Sequence, residues 1–508
     1  MNRLTMLILL IPGLFLTSLW GCGGSSSTEK AEQIYYKALY SKVLTYDPAL
    51  MTDTASLAVA NQIYDGLLEF GPHFDIQPAL AERWETSADG KVLTFQLRKN
   101  AKFHDGTPIT AQDAVASFER LISKASVVAK HYDLIAKVEA SDRYTFKIYL
   151  KNKFPPFAAI LAGATAKVLP RNKFLDPKFF ESPIGSGPFK VAINRNDLIV
   201  LKRNDNYWRE TAKLEELHFI VGGENTGMKE AMNGELHDTV TYPFNGDEPL
   251  FKAGGQHLEI PLVATWIIGL NTRIKPFDRK AIRQRFKAAI SSEEFIETFY
   301  PGQMIANGYI PPGLPGFIDK SLASPAKDHA ELTATPIRIV IPIELAKSHE
   351  IKSYLENKLA KAGFKATIDP QPWEVLEKGF NNKSTQGFLM SMNADYPDSS
   401  FLFRSFQSNN KDNYSGLSSG PIDSLIEKIA ETDSRSERAS LYQNLAKLVD
   451  EESVTVNLLH YRAHFWFASC VQGVEINSLG DYYIPYRKIS LASNCVKRKK
   501  QSAVAHAR

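Results

Sequence analysis

The chain has few cysteines, no marked surplus of either charge, and no apolar run long enough to span a bilayer beyond its first twenty residues. Among 508 residues there are three cysteines, 60 Lys plus Arg and 56 Asp plus Glu, a formal net charge of +4. Five of the basic residues lie in the last twelve positions, at 497, 498, 499, 500 and 508. The body of the chain is therefore close to neutral, which excludes the concentrated basic face of a nucleic-acid-binding protein.

Sequence motifs of common catalytic and metal sites are also missing. The chain contains no H-E-x-x-H, P-loop or C-x-x-C motif, and its histidines show no ligand spacing. Residues Gly416 to Gly420 match the G-x-S-x-G pattern of serine hydrolases. That motif needs a buried strand before it, whereas a polar loop precedes Ser418. A secreted hydrolase using Ser418 is the least favoured interpretation, and His104 in the His-Asp-Gly turn is predicted to be a hydrogen-bonding loop residue.

The first residues are typical of a targeting segment. Arg3 precedes a largely apolar stretch from Leu4 to Leu19, which is too short for a membrane span but suits a secretory signal. The following Leu-Trp-Gly-Cys sequence resembles a bacterial lipobox. We predict a lipoprotein signal peptide over 1–21, lipidation of Cys22 and a flexible tether over 22–29; a soluble secreted protein cleaved elsewhere is the alternative.

The cysteine count agrees with an oxidising compartment. If Cys22 carries lipid, Cys470 and Cys495 remain as a pair. We predict a disulfide between them, with two buried free thiols as the alternative.

Periodicity along the chain predicts alternating strands and helices. Asp89-Gly90 is a hairpin signal before an alternating strand, and Thr110 with Asp113 predicts the start of a helix. A later strand–helix–strand pattern covers 337–341, 351–359 and 364–368. Gly185 and Gly187 are expected to adopt positive φ in a tight turn. This mixture predicts an α/β class with α+β insertions.

Three segments carry a family resemblance. Phe103–Asp113 contains the pattern F-x-D-G-x-P-x-T-A-x-D, Asn204–Trp208 is similar to N-P-x-Y-W, and Met392–Asp398 is similar to G-W-x-A-D-Y-x-D-P. Together they resemble the family 5 extracellular solute-binding proteins, the receptors of oligopeptide and dipeptide ABC importers. The resemblance covers roughly residues 33–491.

The resemblance implies a two-lobed periplasmic-binding-protein-like fold with mixed sheets, an extra inserted α+β domain and a ligand cleft between the lobes. Carried onto this chain, lobe I takes 30–64, 184–272 and 470–496. The insert takes 65–183 and lobe II takes 273–469. The basic stretch 497–508 is predicted to be a disordered tail.

The resemblance also implies the binding residues. Asp395 matches the acid that binds the α-amino group in peptide-binding members; capping of its own loop is the alternative. The other expected ligand contacts are Asn393, Met392, Tyr396, Thr54, Ala55, Trp266, Trp373 and Lys347. Tyr396 and the two tryptophans could equally be packing residues.

Two departures from the family pattern bear on the ligand. Met392 replaces a tryptophan, and residues 344–346 stand where dipeptide-specific members carry an arginine for the peptide carboxylate. Lys347 could substitute for that arginine, although a solvated surface lysine is the simpler interpretation. The missing arginine favours longer peptides over a fixed dipeptide length.

The resulting functional expectation is a non-enzymatic receptor without a cofactor or resident metal. It would act as a monomer, bind oligopeptides, and deliver them to an inner-membrane ABC permease. Its location would be the periplasm or the exterior of the cell envelope, attached to the membrane through Cys22. The alternative is the same fold with a non-peptide solute: an oligosaccharide, a metal chelate or haem.

Overall fold

A computed structural model describes residues 32–39, 41–222, 231, 233–241, 254–320, 335–345, 347–493 and 495. The predicted signal peptide, tether and basic tail lie outside these residues, and so does Cys22. The side chains of residues 240 and 241 also lie outside the description.

Strands and helices alternate along the described chain. The strands are β1 (Ile34–Leu39), β2 (Leu68–Phe70), β3 (Ile76–Pro78), β4 (Ala81–Thr86), β5 (Val92–Leu97), β6 (Ile135–Ala140), β7 (Thr145–Leu150), β8 (Phe189–Asn194), β9 (Leu198–Arg203), β10 (Glu216–Val221), β11 (Asp238–Thr241), β12 (Gln256–Leu270), β13 (Met304–Ile305), β14 (Ile337–Pro342), β15 (Ala366–Gln371), β16 (Gly387–Asn393), β17 (Thr455–Phe467), β18 (Val471–Gln472) and β19 (Ser490–Leu491). The helices are α1 (Thr54–Ile63), α2 (Ala111–Leu121), α3 (Phe157–Leu161), α4 (Lys280–Ala288), α5 (Ser292–Phe299), α6 (Ser348–Lys361), α7 (Trp373–Asn381), α8 (Ser400–Phe403), α9 (Gly420–Glu431) and α10 (Arg435–Glu452).

One mixed sheet passes through both lobes. Its strand order is β15-β14-β16-β12-β17-β11-β1-β10-β9-β8, and β13 pairs with β17 at the side. β14 is parallel to both β15 and β16, whereas β12 is antiparallel to β16 and β17. This architecture confirms the predicted α/β class.

The long strands β12 and β17 join the two lobes. Their ladder changes register between Pro261 and Thr265, an irregularity that bends a strand pair. On β17, Ala463 packs into the core of lobe I, while Tyr461 packs into the core of lobe II. Core packing therefore divides the lobes near 262–264 and 461–463, inside the strands, rather than at the expected positions 272 and 469.

The insert has its own four-stranded sheet, β4-β5-β7-β6. Helix α2 packs on this sheet and begins at a cap, in which an Asp113 carboxylate oxygen accepts from both the backbone N–H (2.9 Å) and the hydroxyl (2.6 Å) of Thr110. The alternating residues Leu93, Phe95 and Leu97 are buried beneath it, as the sequence pattern predicts.

A buried carboxylate fixes the insert to lobe I. Asp65 accepts from the Tyr207 hydroxyl at 3.1 Å and from the Trp208 indole nitrogen at 2.7 Å. Burial raises the pKa of Asp65, so these donors offset the cost of enclosing its charge. The Asn204–Trp208 segment therefore has a structural role at this joint.

The turn containing Gly185 and Gly187 corrects one expectation. Neither glycine has a positive φ. A Cβ on Gly185 would instead stand 1.9 Å from the Ile63 carbonyl oxygen, so close backbone approach requires the glycine. His104 secures the same turn, because its Nδ1 accepts from the Gly185 N–H at 3.1 Å and its Nε2 lies 3.1 Å from the Gly187 carbonyl oxygen.

A disulfide joins Cys470, just after β17, to Cys495 near the end of the described chain. Their Cα atoms are 5.1 Å apart and the residues are separated by 25 positions. The linked segments also pair through β18 and β19. The disulfide thus holds the segment after β19 against the segment that follows β17.

Replacing both cysteines, Cys470→Ser with Cys495→Ser, should lower the free energy of unfolding by about 3 kcal/mol, because the open loop gives the unfolded chain more conformational freedom. Urea denaturation of the variant and the parent protein measures this difference. In the denatured, unreduced parent, no thiol other than that of Cys22 should react with a thiol reagent; two further reactive sulfurs would contradict the disulfide.

Candidate functional site

The carboxyl ends of three lobe II strands bring several predicted residues to one edge of the sheet. β14, β15 and β16 run in the same direction, so their carboxyl ends lie together. Lys347 follows β14, Trp373 follows β15, and Asp395 follows β16. In open α/β sheets this edge is where ligands bind.

Asp395 reaches from this edge to the insert. Its Oδ2 lies 3.4 Å from Nδ1 of His131, in the 3-10 turn Ala129–Tyr132. The Asp395 side chain keeps 46% of its surface open. Burial nevertheless raises the pKa of its carboxyl group to about 6, against a smaller lowering by Lys130. Asp395 therefore lies in a crevice between lobe II and the insert rather than on the outer surface.

Two tyrosines of lobe I lie within electrostatic range of this carboxylate. Burial raises the pKa of the Tyr482 and Tyr483 hydroxyls, and the negative charge of Asp395 raises it further. The Tyr132 hydroxyl of the insert responds in the same way. These tyrosines are thus within electrostatic range of Asp395. The Tyr482 carbonyl oxygen accepts from the Asn61 side-chain amide at 2.8 Å, which holds Tyr482 against α1.

A second acid, Asp398, holds the Asp395 loop in place. Its side chain is buried at 2% exposure and accepts from the Tyr442 hydroxyl and from the Ser400 N–H at 3.0 Å. It also lies 3.4 Å from the Arg438 guanidinium. The tyrosine and arginine belong to α10, so this contact attaches the loop to a long helix. The two acids of the Asp-Tyr-Pro-Asp sequence therefore have different surroundings.

The residues next to Asp395 divide between packing and exposure. Tyr396 is 5% exposed, packs into the core of the insert, and lies 3.1 Å from the Ser400 hydroxyl. Tyr396 is therefore mainly a packing residue, the alternative to the expected ligand contact, and it also lines part of a crevice between lobe II and the insert. Met392 packs against the lobe II core, whereas Asn393 is exposed at the end of β16.

The expected contacts in lobe I begin a helix. Thr54 and Ala55 are the first residues of α1, capped by the Asp53 carboxylate, which accepts from the Ser56 N–H at 2.8 Å. The Ala55 side chain is buried in the lobe I core, while Thr54 is exposed. The expected pairing of this segment with a ligand backbone would therefore take place at a helix start, where the first N–H groups point outward.

Trp266 is not a cleft residue. It is 6% exposed and packs in the lobe II core, edge-on to Tyr300 and tilted against Tyr461. Its position on β12 directs the ring to the α4–α5 side of the sheet, where apolar burial stabilises the lobe.

Trp373 and Lys347 both lie at the sheet edge, where the Trp373 side chain is exposed and the Lys347 side chain is hydrogen-bonded. Trp373 is 43% exposed at the start of α7, and its backbone N–H donates to Glu344 at 3.3 Å. The Lys347 ammonium donates to the Phe299 carbonyl oxygen at 3.2 Å. Lys347 is therefore directed toward α5 and is engaged before any ligand arrives.

Ser418 lacks the geometry of a hydrolase nucleophile. It is exposed in an irregular segment that follows turns and precedes α9. Without a preceding strand, nothing strains this serine into a nucleophile elbow.

Lobe II and the insert are in contact on the far side of Tyr396. A crevice of about 340 Å³ lies between them, lined in part by His131, Phe154 and Arg404. Lys153 to Asp433, at 2.5 Å, and Arg404 to Asp133, at 3.5 Å, bridge it. These contacts hold the two domains close together around Asp395.

A comparison with known protein families shows which family has this architecture. Residues 75–414 match the family model described as bacterial extracellular solute-binding proteins, family 5. The chain belongs to this family. Its members are solute-binding receptors rather than catalysts. In the described part of the chain, no helix has the length and apolar character needed to cross a membrane.

Individual relatives are named for the binding of a dipeptide or of glutathione, and a similar solved structure contains a bound peptide. The dipeptide-binding protein DppE of Bacillus subtilis is 24% identical, over 91% of this chain and 95% of its own. The glutathione-binding protein GsiB of Shigella dysenteriae is 26% identical, over 83% and 88%. The structure of the periplasmic binding protein DppA of Helicobacter pylori with the peptide STSA has a TM-score of 0.78 and 23% identity, covering 90% of this chain and 98% of that one.

Asp398→Asn should destabilise this solute-binding protein by about 3 kcal/mol, because it leaves the buried Arg438 without its charged partner. Thermal and urea unfolding measure the loss. Asp433→Asn is the matched control, since Asp433 is 75% exposed and should change stability little. Equal effects of the two variants would contradict the anchoring role of Asp398.

Proposed function

We propose that this protein is the substrate-binding receptor of an ABC importer for oligopeptides and that Asp395 binds the peptide α-ammonium group. The observation that carries the proposal is the position of Asp395, between lobe II and the insert and within electrostatic range of two lobe I tyrosines. Across this gap the Asp395 carboxylate lies 3.4 Å from the His131 ring. Burial lowers the pKa of that histidine to about 4, so the ring is neutral at pH 7.

A cationic ligand would offset the cost of this environment. The raised pKa of Asp395 reflects a partly enclosed carboxylate, for which the effect of burial exceeds the opposing effect of Lys130. An ammonium group supplies both opposite charge and hydrogen-bond donors. The names of the relatives support a peptide as its source, since a peptide carries one such group at its amino end.

The remaining polar groups suit a peptide backbone. Asn393 is exposed two residues before Asp395, and Thr54 is exposed at the start of α1. We infer that both bond to the ligand main chain, with side chains left to water-filled space. Bending of the β12–β17 ladder at its register change would open and close the cleft.

Lys347 does not bind the peptide carboxylate in this proposal as Asp395 binds the α-ammonium group. The Lys347 ammonium is bonded to the Phe299 carbonyl oxygen, and Glu344 lies beside it in the chain. We infer that affinity depends on the amino end of the peptide more than on its length, which favours oligopeptides over dipeptides.

The cellular setting is part of the same proposal. Lipidated Cys22 would attach a monomeric receptor to the membrane in the periplasm or on the envelope exterior. The receptor would pass its ligand to the permease of the importer without a cofactor.

Asp395→Asn should weaken binding of free-amino peptides by roughly a hundredfold, the cost of removing one member of a desolvated charge pair. Peptides that co-purify with the protein, identified by mass spectrometry, provide the ligands, and titration calorimetry on the peptide-free protein measures affinity. The same peptides with an acetylated amino end should bind the parent protein as weakly as free peptides bind the variant.

Two results would refute this function. One is equal affinity for free and acetylated peptides, which would show that the ammonium group is not recognised. The other is co-purification of a single non-peptide solute. Asp133→Asn is a suitable control, because Asp133 is an exposed acid of the insert at the same crevice, and its carboxylate lies 3.5 Å from the Arg404 guanidinium.

Asp395→Asn should also stabilise the ligand-free protein at neutral pH. The Asp395 pKa is raised from 3.8 to about 6, so the native state loses stability as pH rises from about 4 to above 6 and the carboxyl ionises. Asp395→Asn removes this loss. Because the side chain is 46% exposed, we expect a gain of about 1 kcal/mol at pH 7 and none at pH 4. Urea unfolding at both pH values measures it; a loss at pH 7 would be inconsistent with an uncompensated carboxylate.

A further inference from the structure

Three metal-ligating side chains meet on the lobe I half of the β12–β17 ladder. His257 and Glu259 are two residues apart on β12 and so point to the same face. In the ladder, Glu259 lies directly opposite His464 of β17. One ligand atom from each of the three side chains lies within 4.8 Å of the other two.

The site is on the sheet face opposite the lobe I core. Leu258 and Ile260 alternate with the two β12 ligands and pack against that core, as Ala463 and Phe465 do on either side of His464. The cluster is therefore separate from Asp395, which follows β16 at the carboxyl edge of the lobe II sheet. His257 and Glu259 are exposed, and His464 is buried.

The distances suit ligands of one small ion. His257 Nε2 lies 3.2 Å from His464 Nδ1, and His464 Nδ1 lies 3.8 Å from Glu259 Oε1. A tetrahedral zinc ion with bonds of about 2.1 Å keeps its ligand atoms roughly 3.4 Å apart. The rings can therefore bind one ion with small side-chain movements, in place of the N–H···N hydrogen bond that this spacing also allows.

The surroundings orient the carboxylate. The Arg462 guanidinium lies 3.2 Å from Glu259 Oε2, which leaves Oε1 on the His464 side. A hydrogen-bonded partner of this kind fixes the direction of a ligating carboxylate. Two imidazoles and a carboxylate form a donor set that zinc accepts, with the fourth position left for water.

We propose that His257, Glu259 and His464 form a binding site for a divalent transition-metal ion, with Zn²⁺ as the best match to this donor set. The ion would cross-link β12 to β17 just before the register change at Pro261, where the strands pass from lobe I to lobe II. Metal occupancy would thus stiffen the lobe I side of the interlobe connection.

The test uses the tag-free protein with its disulfide intact, treated with a chelator and then titrated with Zn²⁺ by calorimetry. Cobalt(II) titration followed by visible absorption reports the coordination geometry. We expect one ion per chain and a higher melting temperature with metal. His257→Ala and Glu259→Gln, both at exposed positions, should each weaken Zn²⁺ binding at least about tenfold.

The matched control is His218→Ala. His218 lies on β10 of the same lobe, with its Nε2 2.6 Å from a Glu216 carboxylate oxygen. Among the described residues, this pair is not joined by a third metal-ligating side chain. This variant should bind Zn²⁺ as the parent protein does. Unchanged binding in both His257→Ala and Glu259→Gln would overturn the proposal, as would the absence of any bound ion. His464→Asn is a secondary variant, because its burial makes misfolding an expected complication. The proposed peptide site depends on Asp395 and the proposed metal site does not, so each can be tested when the other fails.

Discussion

The continuous pairing of β12 with β17 is the constraint on which both lobes depend. These strands contribute to the lobe I core at one end and to the lobe II core at the other. Backbone hydrogen bonds make such a ladder stiff within each lobe, whereas its register change between Pro261 and Thr265 interrupts that regularity. The cleft, the disulfide after β17 and the proposed metal site are all arranged relative to this one pair of strands.

Two carboxylates in one short loop have different roles because their neighbouring groups differ. Asp398 is enclosed with a tyrosine hydroxyl, a backbone N–H and a guanidinium, so its charge is compensated inside the protein. Asp395 stands three residues earlier with a neutral histidine as its contact. An uncompensated acid is costly to the isolated fold and useful to a receptor, because the missing charge can come from the ligand.

Short-range features were predictable because they depend on residues close in the chain. The hairpin at Asp89-Gly90, the capped start of α2 at Thr110, and the β14–α6–β15 unit all match the sequence pattern. Errors arose where a residue type fits two environments. Trp266 and Tyr396 are large aromatics that suit a cleft wall or a core, and both are in cores. Gly185 was expected to need positive φ, but a neighbouring carbonyl oxygen requires it instead.

The sequence alone determined the α/β class, the family resemblance through its motifs, and Asp395 as the candidate acid, because local periodicity and contiguous motifs carry that information. Only the tertiary structure decided that His131 contacts this acid and that Tyr132, Tyr482 and Tyr483 lie within its electrostatic range. Those residues come from segments more than 85 positions away on either side, and their own local sequence contains no signal of the partner. Likewise, His257 and His464 are 207 positions apart and become neighbours solely through the register of two long strands. Long-range contacts depend on the packing of the whole chain, which no local pattern encodes.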